Sequence, residues 1–377
     1  MKYYLIAGEA SGDLHASNLM KQLKALDSEA EFRFWGGDRM SAISNTEAVK
    51  HIKELAFMGF LEVLLNLRTI LSNISFCKKD ILNYKPDVLI LIDYPGFNLR
   101  IAKFAKKNGI KVIYYISPQI WAWKQSRVKS IKKHVDKMLA ILPFEEKFYA
   151  DFGYQADFVG HPLLDAINSW KNNVDLSEFQ KQNNLSNKPI VALLPGSRKQ
   201  EITKMLKIMI QSISNFDDYQ FVVAGLSGHP KTLYNDCEGI NNLSVVYDKT
   251  YELLQHSFAA IVTSGTATLE TALFKVPQVV CYKGGTLSYY IAKNLVKIKY
   301  ISLVNIIMDK IVVKELIQND FNVGNLSKEL SKLLYNNDYR QKMLNDYLLL
   351  QKKLGGQGAS QKAANLIYKF TLENVKN

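Results

Sequence analysis

The feature of this sequence that most limits its fold is a series of short, nearly unbroken apolar runs. Val88–Ile92, residues 111–116 and Ile190–Leu194 show no alternation between apolar and polar residues. Strands that are covered on both faces read in this way, whereas half-exposed strands alternate. Between such runs, apolar residues recur at helical spacing, as in Leu19 and Leu23. The pattern therefore predicts α/β architecture with doubly wound parallel sheets.

The strand–helix alternation occurs twice along the chain and is interrupted by a polar stretch at residues 165–188, which we interpret as the interdomain connection. A length of 377 residues also favours two domains. We predict one Rossmann-like domain over residues 1–165, completed by a helix at residues 359–374, and a second over residues 188–350. Ligands of such sheets bind beyond the carboxyl ends of the strands, so the cleft between the domains is the expected site.

Charge and cysteine content restrict the partners and the compartment. The 48 basic and 35 acidic residues give a net charge of +13, which favours an anionic partner or reflects a lysine-rich composition. Three distant cysteines, Cys77, Cys237 and Cys281, favour a reducing, cytoplasmic compartment. No run approaches the 18 or so apolar residues of a membrane span, and no signal peptide is recognisable.

Two carboxylates of the first domain are candidates for catalysis. Glu9 lies in the turn at residues 8–13, between the first strand and the first helix, and Asp93 follows the apolar run Val88–Ile92. A carboxylate at the end of a buried parallel strand can accept a proton from a substrate hydroxyl. The alternatives are a plain strand–helix turn for the first segment and a helix N-cap for Asp93.

Two turns of the second domain have the composition of a phosphate site. Each follows a predicted strand and begins a helix, where small residues and free amides admit an anion. The members are Gly196, Ser197, Arg198, Ser264, Gly265 and Thr266. Glu270 lies one turn further along and could accept two ribose hydroxyls. An exposed helix-start arginine and a solvated glutamate are the alternatives. The sequence has no Asp-x-Asp pair or other metal motif, so we expect no metal and no cofactor.

Two segments have an unusual apolar or aromatic character. Residues 55–71, placed on a helix, are apolar most of the way round, which suits either a core helix or a lipid-facing one. Its candidate lipid-contacting residues are Phe57, Met58, Phe60, Leu61 and Leu64. Trp121 and Trp123 precede a lysine-rich run that could serve nucleic acid, a membrane interface or only a solvated helix.

Taken together, the segments resemble the lipid A disaccharide synthase family. The resemblance rests on AGEASGD (residues 7–13), MGFLEVL (58–64), PD (86–87), IDYP (92–95), YISPQIWAW (115–123), LPFE (142–145), GHP (160–162), LLPGSR (193–198), SGTATLE (264–270) and SLVN (302–305). These motifs run in order over almost the whole chain. Two positions depart from the family pattern: Val304 stands in place of proline, and Gly96 stands where some members carry aspartate.

The resemblance implies a GT-B fold of two facing Rossmann-like domains. It implies transfer of 2,3-diacylglucosamine from UDP to 2,3-diacylglucosamine 1-phosphate (lipid X), with inversion, at the cytoplasmic face of the inner membrane. Asp93 matches the family's proposed base and Glu9 matches another site residue, while Arg198, Glu270 and Asn305 match residues that hold UDP. We also expect peripheral membrane association and a homodimer, and no binding of nucleic acid.

Two other functions compete with this interpretation. One is a GT-B enzyme acting on a soluble UDP-sugar, such as an epimerase, which would have no use for the apolar surface of residues 55–71. The other is a nucleic-acid-binding protein that uses the basic stretch at residues 123–137, which predicts strongly salt-dependent binding. A nucleic-acid-binding function does not explain the motifs that follow the predicted strands.

Overall fold

The computed structural model describes residues 1–55, 67–123, 125–170, 174–284 and 299–375. The chain divides into two units, each built on its own parallel sheet. The first unit comprises Met1–Trp170 together with Leu354–Asn377, and the second comprises Lys171–Lys353. The predicted architecture of two doubly wound parallel sheets is therefore confirmed.

The first sheet has seven parallel strands in the order β3-β2-β1-β4-β5-β6-β7. They are Lys2–Ala7 (β1), Glu31–Gly36 (β2), Lys50–His51 (β3), Val88–Ile92 (β4), Lys111–Tyr115 (β5), Lys137–Ala140 (β6) and Ala156–Phe158 (β7). Every residue of β4 is buried, so side chains on both faces are covered. This burial is the physical reason for the unbroken apolar run in the sequence.

Helices cover both faces of this sheet. They are Ala10–Leu26, Asp38–Ser44, Leu67–Tyr84, Pro95–Lys107, Ile120–Trp123, Val128–His134, Glu145–Ala150, Pro162–Ser169 and Ala359–Val375. The helix after β4 begins at Pro95, whose missing N–H and fixed φ suit the first helical position. Its Phe97, Ile101 and Ala105 face the core, while lysines end it at the surface.

The helix Ala359–Val375 belongs to the first unit although 183 residues of the second unit separate it from Trp170 (353 − 170 = 183). It packs against the helices Ala10–Leu26 and Pro162–Ser169. The Asp165 carboxylate accepts the backbone N–H groups of Gly358 and Ser360, both at 2.7 Å, and so caps this helix at its start.

Two buried histidines make the first unit sensitive to acid. Burial lowers the pKa of His15 to about 4, with a smaller opposing effect of Asp165. Burial, and then the neighbouring His15, lowers the pKa of His161 to about 3. Unfolded histidines titrate near 6.5, so the unfolded chain binds protons first as the pH falls. The stability from these neutral side chains is full above about pH 6.5 and is lost toward pH 4 and 3.

We expect the substitution His15→Gln to make the free energy of unfolding less dependent on pH between about 6.5 and 5. One proton fewer taken up on unfolding reduces the slope by up to about 1.4 kcal/mol per pH unit. Denaturant titrations at several pH values measure this slope directly. Equal slopes for the substituted and unsubstituted proteins would show that His15 is charged in the folded state.

The second sheet has six parallel strands in the order β10-β9-β8-β11-β12-β13. They are Ile190–Leu194 (β8), Gln220–Gly225 (β9), Leu243–Tyr247 (β10), Ser257–Thr263 (β11), Gln278–Tyr282 (β12) and Lys314–Ile317 (β13). The surrounding helices are Leu176–Gln182, Lys199–Gln211, Thr250–Gln255, Thr266–Leu273, Leu303–Met308, Val323–Tyr335 and Asn337–Lys353. No helix of the described ranges is long and apolar enough to cross a membrane.

The polar stretch at residues 165–188 is more ordered than the sequence suggested. Its first residues belong to the helix Pro162–Ser169, and Leu176–Gln182 forms another helix in the second unit. Asp175 caps the second helix by accepting the N–H of Glu178 at 2.8 Å. Phe179 is only 1% exposed and joins the core of the second unit. The division between the two units falls inside this stretch, after Trp170, and short capped helices lie on either side of it. Such helices need few apolar residues, so the sequence pattern did not reveal them.

Candidate active site

Asp93 follows β4 directly, at the carboxyl edge of the first sheet. Burial, followed by the negative charge of Glu9, raises the pKa of Asp93 to about 7, while the backbone N–H of Tyr94 opposes the shift. A carboxyl group with this pKa is partly ionised near neutral pH. It can therefore take a proton and pass it on under the conditions where general-base catalysis is most effective.

Glu9 is the N-cap residue of the helix Ala10–Leu26 and is half-buried. Its charge acts on both Asp93 and the Tyr94 phenol, whose pKa is raised by burial and then by Glu9. The turn is tightly packed, since a Cβ atom on Gly8 would lie 2.4 Å from Cγ of Tyr94. Only glycine fits there, which explains its place between β1 and the helix.

Asp13 lies in the first helical turn of Ala10–Leu26 and not in a strand–helix turn reaching residue 13, as the sequence predicted, because the helix already begins at Ala10. It has a structural role that the sequence did not reveal. Its Oδ1 atom accepts the N–H groups of Gly37 at 2.7 Å and Met40 at 3.2 Å, and its Oδ2 accepts that of Arg39 at 3.2 Å. These are free amides at the start of the helix Asp38–Ser44, which Asp13 caps from a distance. Of the two carboxylates, Glu9 is therefore the one near Asp93.

Of the predicted lipid-contacting residues, the structure describes only the two tryptophans, and these differ in exposure to solvent. Phe57, Met58, Phe60, Leu61 and Leu64 fall outside the residues that the structure describes. Trp121 is only 8% exposed and packs edge-on against Phe144, with ring centroids 5.0 Å apart. Trp123 is 47% exposed, and the Arg127 guanidinium lies over its ring. Of the two tryptophans, only Trp123 presents a large surface to solvent.

In the second unit, the turn after β8 brings together the predicted anion-binding groups. Gly196 has φ +114, a conformation that favours glycine, and Arg198 is the exposed N-cap residue of the helix Lys199–Gln211. Glu201 accepts the N–H groups of Ser197 at 3.2 Å and Arg198 at 3.3 Å, and it pairs with the Arg198 guanidinium at 3.0 Å. A carboxylate of the chain thus occupies the donors that we assigned to an anion.

The turn after β11 starts the helix Thr266–Leu273, with Gly265 as its N-cap residue. Ser264 donates to the carbonyl of Ile301 at 3.1 Å. Among the residues that the structure describes, none has an atom within 4 Å of a Cβ built on Gly265. Glu270 lies on this helix and accepts the Tyr251 hydroxyl at 2.9 Å. Burial raises the pKa of Glu270, and the hydrogen bond from Tyr251 opposes that shift.

Asn305 is buried, at 1% exposure, and its side chain is fully used within the second unit. Its Oδ1 accepts the N–H groups of Val312 at 2.8 Å and Val313 at 3.0 Å, and its Nδ2 donates to Glu315 at 2.9 Å. In this arrangement the amide shapes the segment before β13. Contact with a ligand would require it to release one of these partners.

Sequence reasoning missed three polar residues that contact the candidate site. Glu201 forms an ion pair with Arg198, and the Tyr251 hydroxyl donates a hydrogen bond to Glu270. His229, which follows β9, lies 2.9 Å through its Nε2 from the carbonyl oxygen of Ser197. Each is a single polar residue outside any motif. Only Glu201 could have been predicted from the sequence. It stands three residues after the N-cap residue Arg198, where glutamate is favoured because its side chain can accept the backbone N–H of the N-cap residue.

The two groups of residues differ in chemistry. The first unit contributes a carboxyl group tuned toward neutral pH beside a second acid. The second contributes backbone amides, a guanidinium and a carboxylate at the ends of β8 and β11, which suit a nucleoside diphosphate. Within the described ranges, no three His, Cys, Asp or Glu side chains are clustered to hold a metal ion.

Solved structures share this fold over almost the whole chain. Similar solved structures include a Staphylococcus aureus protein in complex with UDP (TM-score 0.69, 13% identity, 100% of this chain and 98% of that one). Another is a Neisseria meningitidis UDP-GlcNAc 2-epimerase, with a TM-score of 0.68 and 13% identity. The alignment covers 98% of this chain and 100% of the epimerase. A calicheamicin glycosyltransferase aligns over 98% of both chains with a TM-score of 0.60 and 14% identity. These likenesses define the GT-B fold of glycosyltransferases and epimerases.

Within that class the sequence relatives are specific. A sequence model described as lipid-A-disaccharide synthetase matches residues 3–370, and the chain belongs to this glycosyltransferase family. It is 38% identical to a lipid-A-disaccharide synthase of Trichlorobacter lovleyi over 96% of both chains, and 38% identical to one of Coxiella burnetii over 97% of both. The family resemblance seen in the sequence is therefore confirmed, and with it a role in lipid A disaccharide synthesis.

Proposed function

We propose that this chain transfers 2,3-diacylglucosamine from UDP-2,3-diacylglucosamine to the 6-hydroxyl of 2,3-diacylglucosamine 1-phosphate, with inversion. The products are UDP and a β-1,6-linked disaccharide 1-phosphate. Family membership supports the reaction class. The observation that carries the proposal is the Asp93 carboxyl, placed at the end of β4 beside Glu9 with a pKa raised to about 7.

Asp93 is proposed to act as the general base. It takes the proton of the acceptor 6-hydroxyl as that oxygen forms a bond to the anomeric carbon of the donor. The bond from this carbon to the diphosphate oxygen breaks, and UDP leaves with the electron pair. A single displacement inverts the anomeric centre and needs no nucleophilic side chain of the protein. Activity should rise with pH through about 7 as Asp93 loses its proton.

The second unit is proposed to hold UDP. Arg198 and the amides of the turn after β8 would neutralise the diphosphate, and Glu270 would accept ribose hydroxyls. The diphosphate must compete with Glu201, which occupies the same donors in the structure. The acidic phosphates carry more charge than one carboxylate, so they should displace it. Asn305 would then act by shaping the neighbouring segment.

The acyl chains of both substrates lead us to propose peripheral association with the cytoplasmic face of the inner membrane. The helix Leu67–Tyr84 supports this, because it exposes Leu71 (54%), Phe76 (48%) and Leu82 (43%). Lys78 and Lys79 belong to the same helix, and Lys78 lies over the Phe104 ring. Apolar contacts would persist in high salt, whereas attraction of lysines to anionic lipid would be screened.

We expect high salt alone to release only part of the protein from anionic vesicles, and detergent to release all of it. Replacing Phe57, Phe60, Leu61 and Leu64 by Ser should increase the fraction released by salt and lower activity on micellar substrates. Each apolar side chain removed from water contributes about 1.5–3 kcal/mol, so four outweigh a few screened lysines. Vesicle sedimentation at increasing salt measures the bound fraction.

The control is Leu348→Ser with Leu349→Ser, which changes two leucines of the second unit that are 47% and 49% exposed. This variant should bind vesicles as the unsubstituted protein does. Unfolding of the quadruple variant, seen by circular dichroism, would identify its residues as an ordinary core helix instead.

The direct test of the proposed reaction uses the purified protein, both lipid sugars and no other enzyme. UDP and a disaccharide 1-phosphate should appear in equal amounts. Release of UDP without a disaccharide, or conversion of a soluble UDP-sugar instead, would contradict the proposal. The expected homodimer remains a separate prediction, which sedimentation of the protein in detergent would test.

A further inference from the structure

The carbonyl oxygen of Asp93 is held by two buried side chains from different elements. Tyr114 of β5 donates its hydroxyl at 2.5 Å, and Asn98 of the helix Pro95–Lys107 donates its amide at 2.7 Å. Both side chains are 0% exposed. The Asp93 N–H is also bound, by the carbonyl of Tyr115 at 3.2 Å. The backbone of Asp93 is therefore fixed on both sides.

These hydrogen bonds act on an unusual turn. Asp93 has φ +45 and Tyr94 has φ +50, so two successive non-glycine residues adopt the left-handed conformation. Such residues are uncommon, and they persist where the surrounding structure holds them in place. The Tyr94 ring is itself confined, because it lies on Gly8 and stacks on Phe97 with centroids 5.5 Å apart.

The turn decides where the Asp93 carboxyl points and which charges it meets. Glu9 on the first helix raises the pKa of Asp93, and the backbone N–H of Tyr94 lowers it. Burial, and then the neighbouring Asp93 and Tyr149, raise the pKa of Tyr114, whereas the hydrogen bond with Asn98 and the charge of Arg127 oppose the shift. Burial is the largest cause of the raised pKa of Asp93, so any movement of the turn toward water should reduce it.

We propose that Tyr114, together with Asn98, is a positioning residue that holds Asp93 in the left-handed turn required for its work as a base. This inference rests on the proposed role of Asp93. Without the Tyr114 hydroxyl, one of the two donors to the Asp93 carbonyl is lost. The turn can then relax toward an ordinary conformation, in which the carboxyl is more hydrated and less well directed.

The test is Tyr114→Phe, which removes one oxygen atom and keeps the ring. We expect kcat to fall about tenfold with the KM for the UDP-sugar within twofold, because the residues proposed to bind UDP belong to the second unit. The acid limb of the pH dependence of kcat/KM, which reports the base in the free enzyme, should move down by about one pH unit. A steady-state series from about pH 5 to 9 measures both effects.

The matched control is Tyr4→Phe. Tyr4 is equally buried in the same unit, and its hydroxyl donates to Asp80 at 2.6 Å, away from Asp93. This variant should lose thermal stability without moving the acid limb. A Tyr114→Phe enzyme that loses stability but keeps the limb and kcat of the unsubstituted protein would overturn the inference. Full activity of Asp93→Asn would instead overturn the role of Asp93 itself.

Discussion

Replacing Asp93 by asparagine is expected to lower turnover by about 10²–10⁴. The amide keeps the shape of the side chain but cannot accept a proton from the acceptor hydroxyl. UDP affinity should stay the same, because the groups proposed to bind UDP belong to the second unit. Turnover is measured by UDP release, and UDP affinity by calorimetry on the same preparation.

The control for this substitution is Asp38→Asn, which makes the same chemical change at a carboxylate of the first unit that is 84% exposed. Its activity should match that of the unsubstituted protein. If Asp93→Asn retains turnover within about tenfold, another group takes the proton, and Glu9 would be the next to substitute.

Replacing Arg198 by alanine is expected to lower kcat/KM by roughly 10²–10³, the usual cost of losing one charged donor at a site where negative charge develops. The affinities for UDP and for the UDP-sugar should weaken together, since the guanidinium is proposed to contact the diphosphate common to both. Lysine at this position should restore only part of the loss, because it has the charge but not the forked geometry of the guanidinium.

Lys199→Ala is the matched control, since it removes the adjacent exposed cation of the same helix start. Its UDP affinity and turnover should be unchanged within about twofold, so a loss seen only at Arg198 reflects a specific contact. UDP affinity that survives the loss of Arg198 would place the diphosphate elsewhere. The Glu201 ion pair would then have only a helix-capping role.

The sequence predicted strands best where burial on both faces produces an unbroken run of apolar residues. β4 was predicted with the bounds that the structure gives, because a strand covered on both faces excludes polar residues. The short strands β3, β7 and β13 were not predicted. Lys50–His51 has no apolar residue, and Ala156–Phe158 and Lys314–Ile317 are too short to show a period. Neighbouring strands in the sheet, not local sequence, make these segments extended.

The sequence predicted which segments at the ends of strands carry the candidate site residues. It did not predict which partners their side chains contact. Glu9 and Asp13 look alike in one short sequence motif, yet Asp13 caps a helix that begins 25 positions later (38 − 13 = 25). Trp121 and Trp123 likewise share a motif, but one is buried and the other exposed. These distinctions depend on contacts between distant segments, which spacing along one chain does not encode.

The capping of the helix Ala359–Val375 by Asp165 has a consequence for the order in which the chain acquires its structure on the ribosome. In the first unit this helix packs against the helix Ala10–Leu26, but the second unit is translated in between. At about 5–20 residues per second, those 183 residues (353 − 170) take roughly 10–40 s. During that interval the face of Ala10–Leu26 that this helix will cover is exposed on the nascent first unit, and a chaperone can bind there.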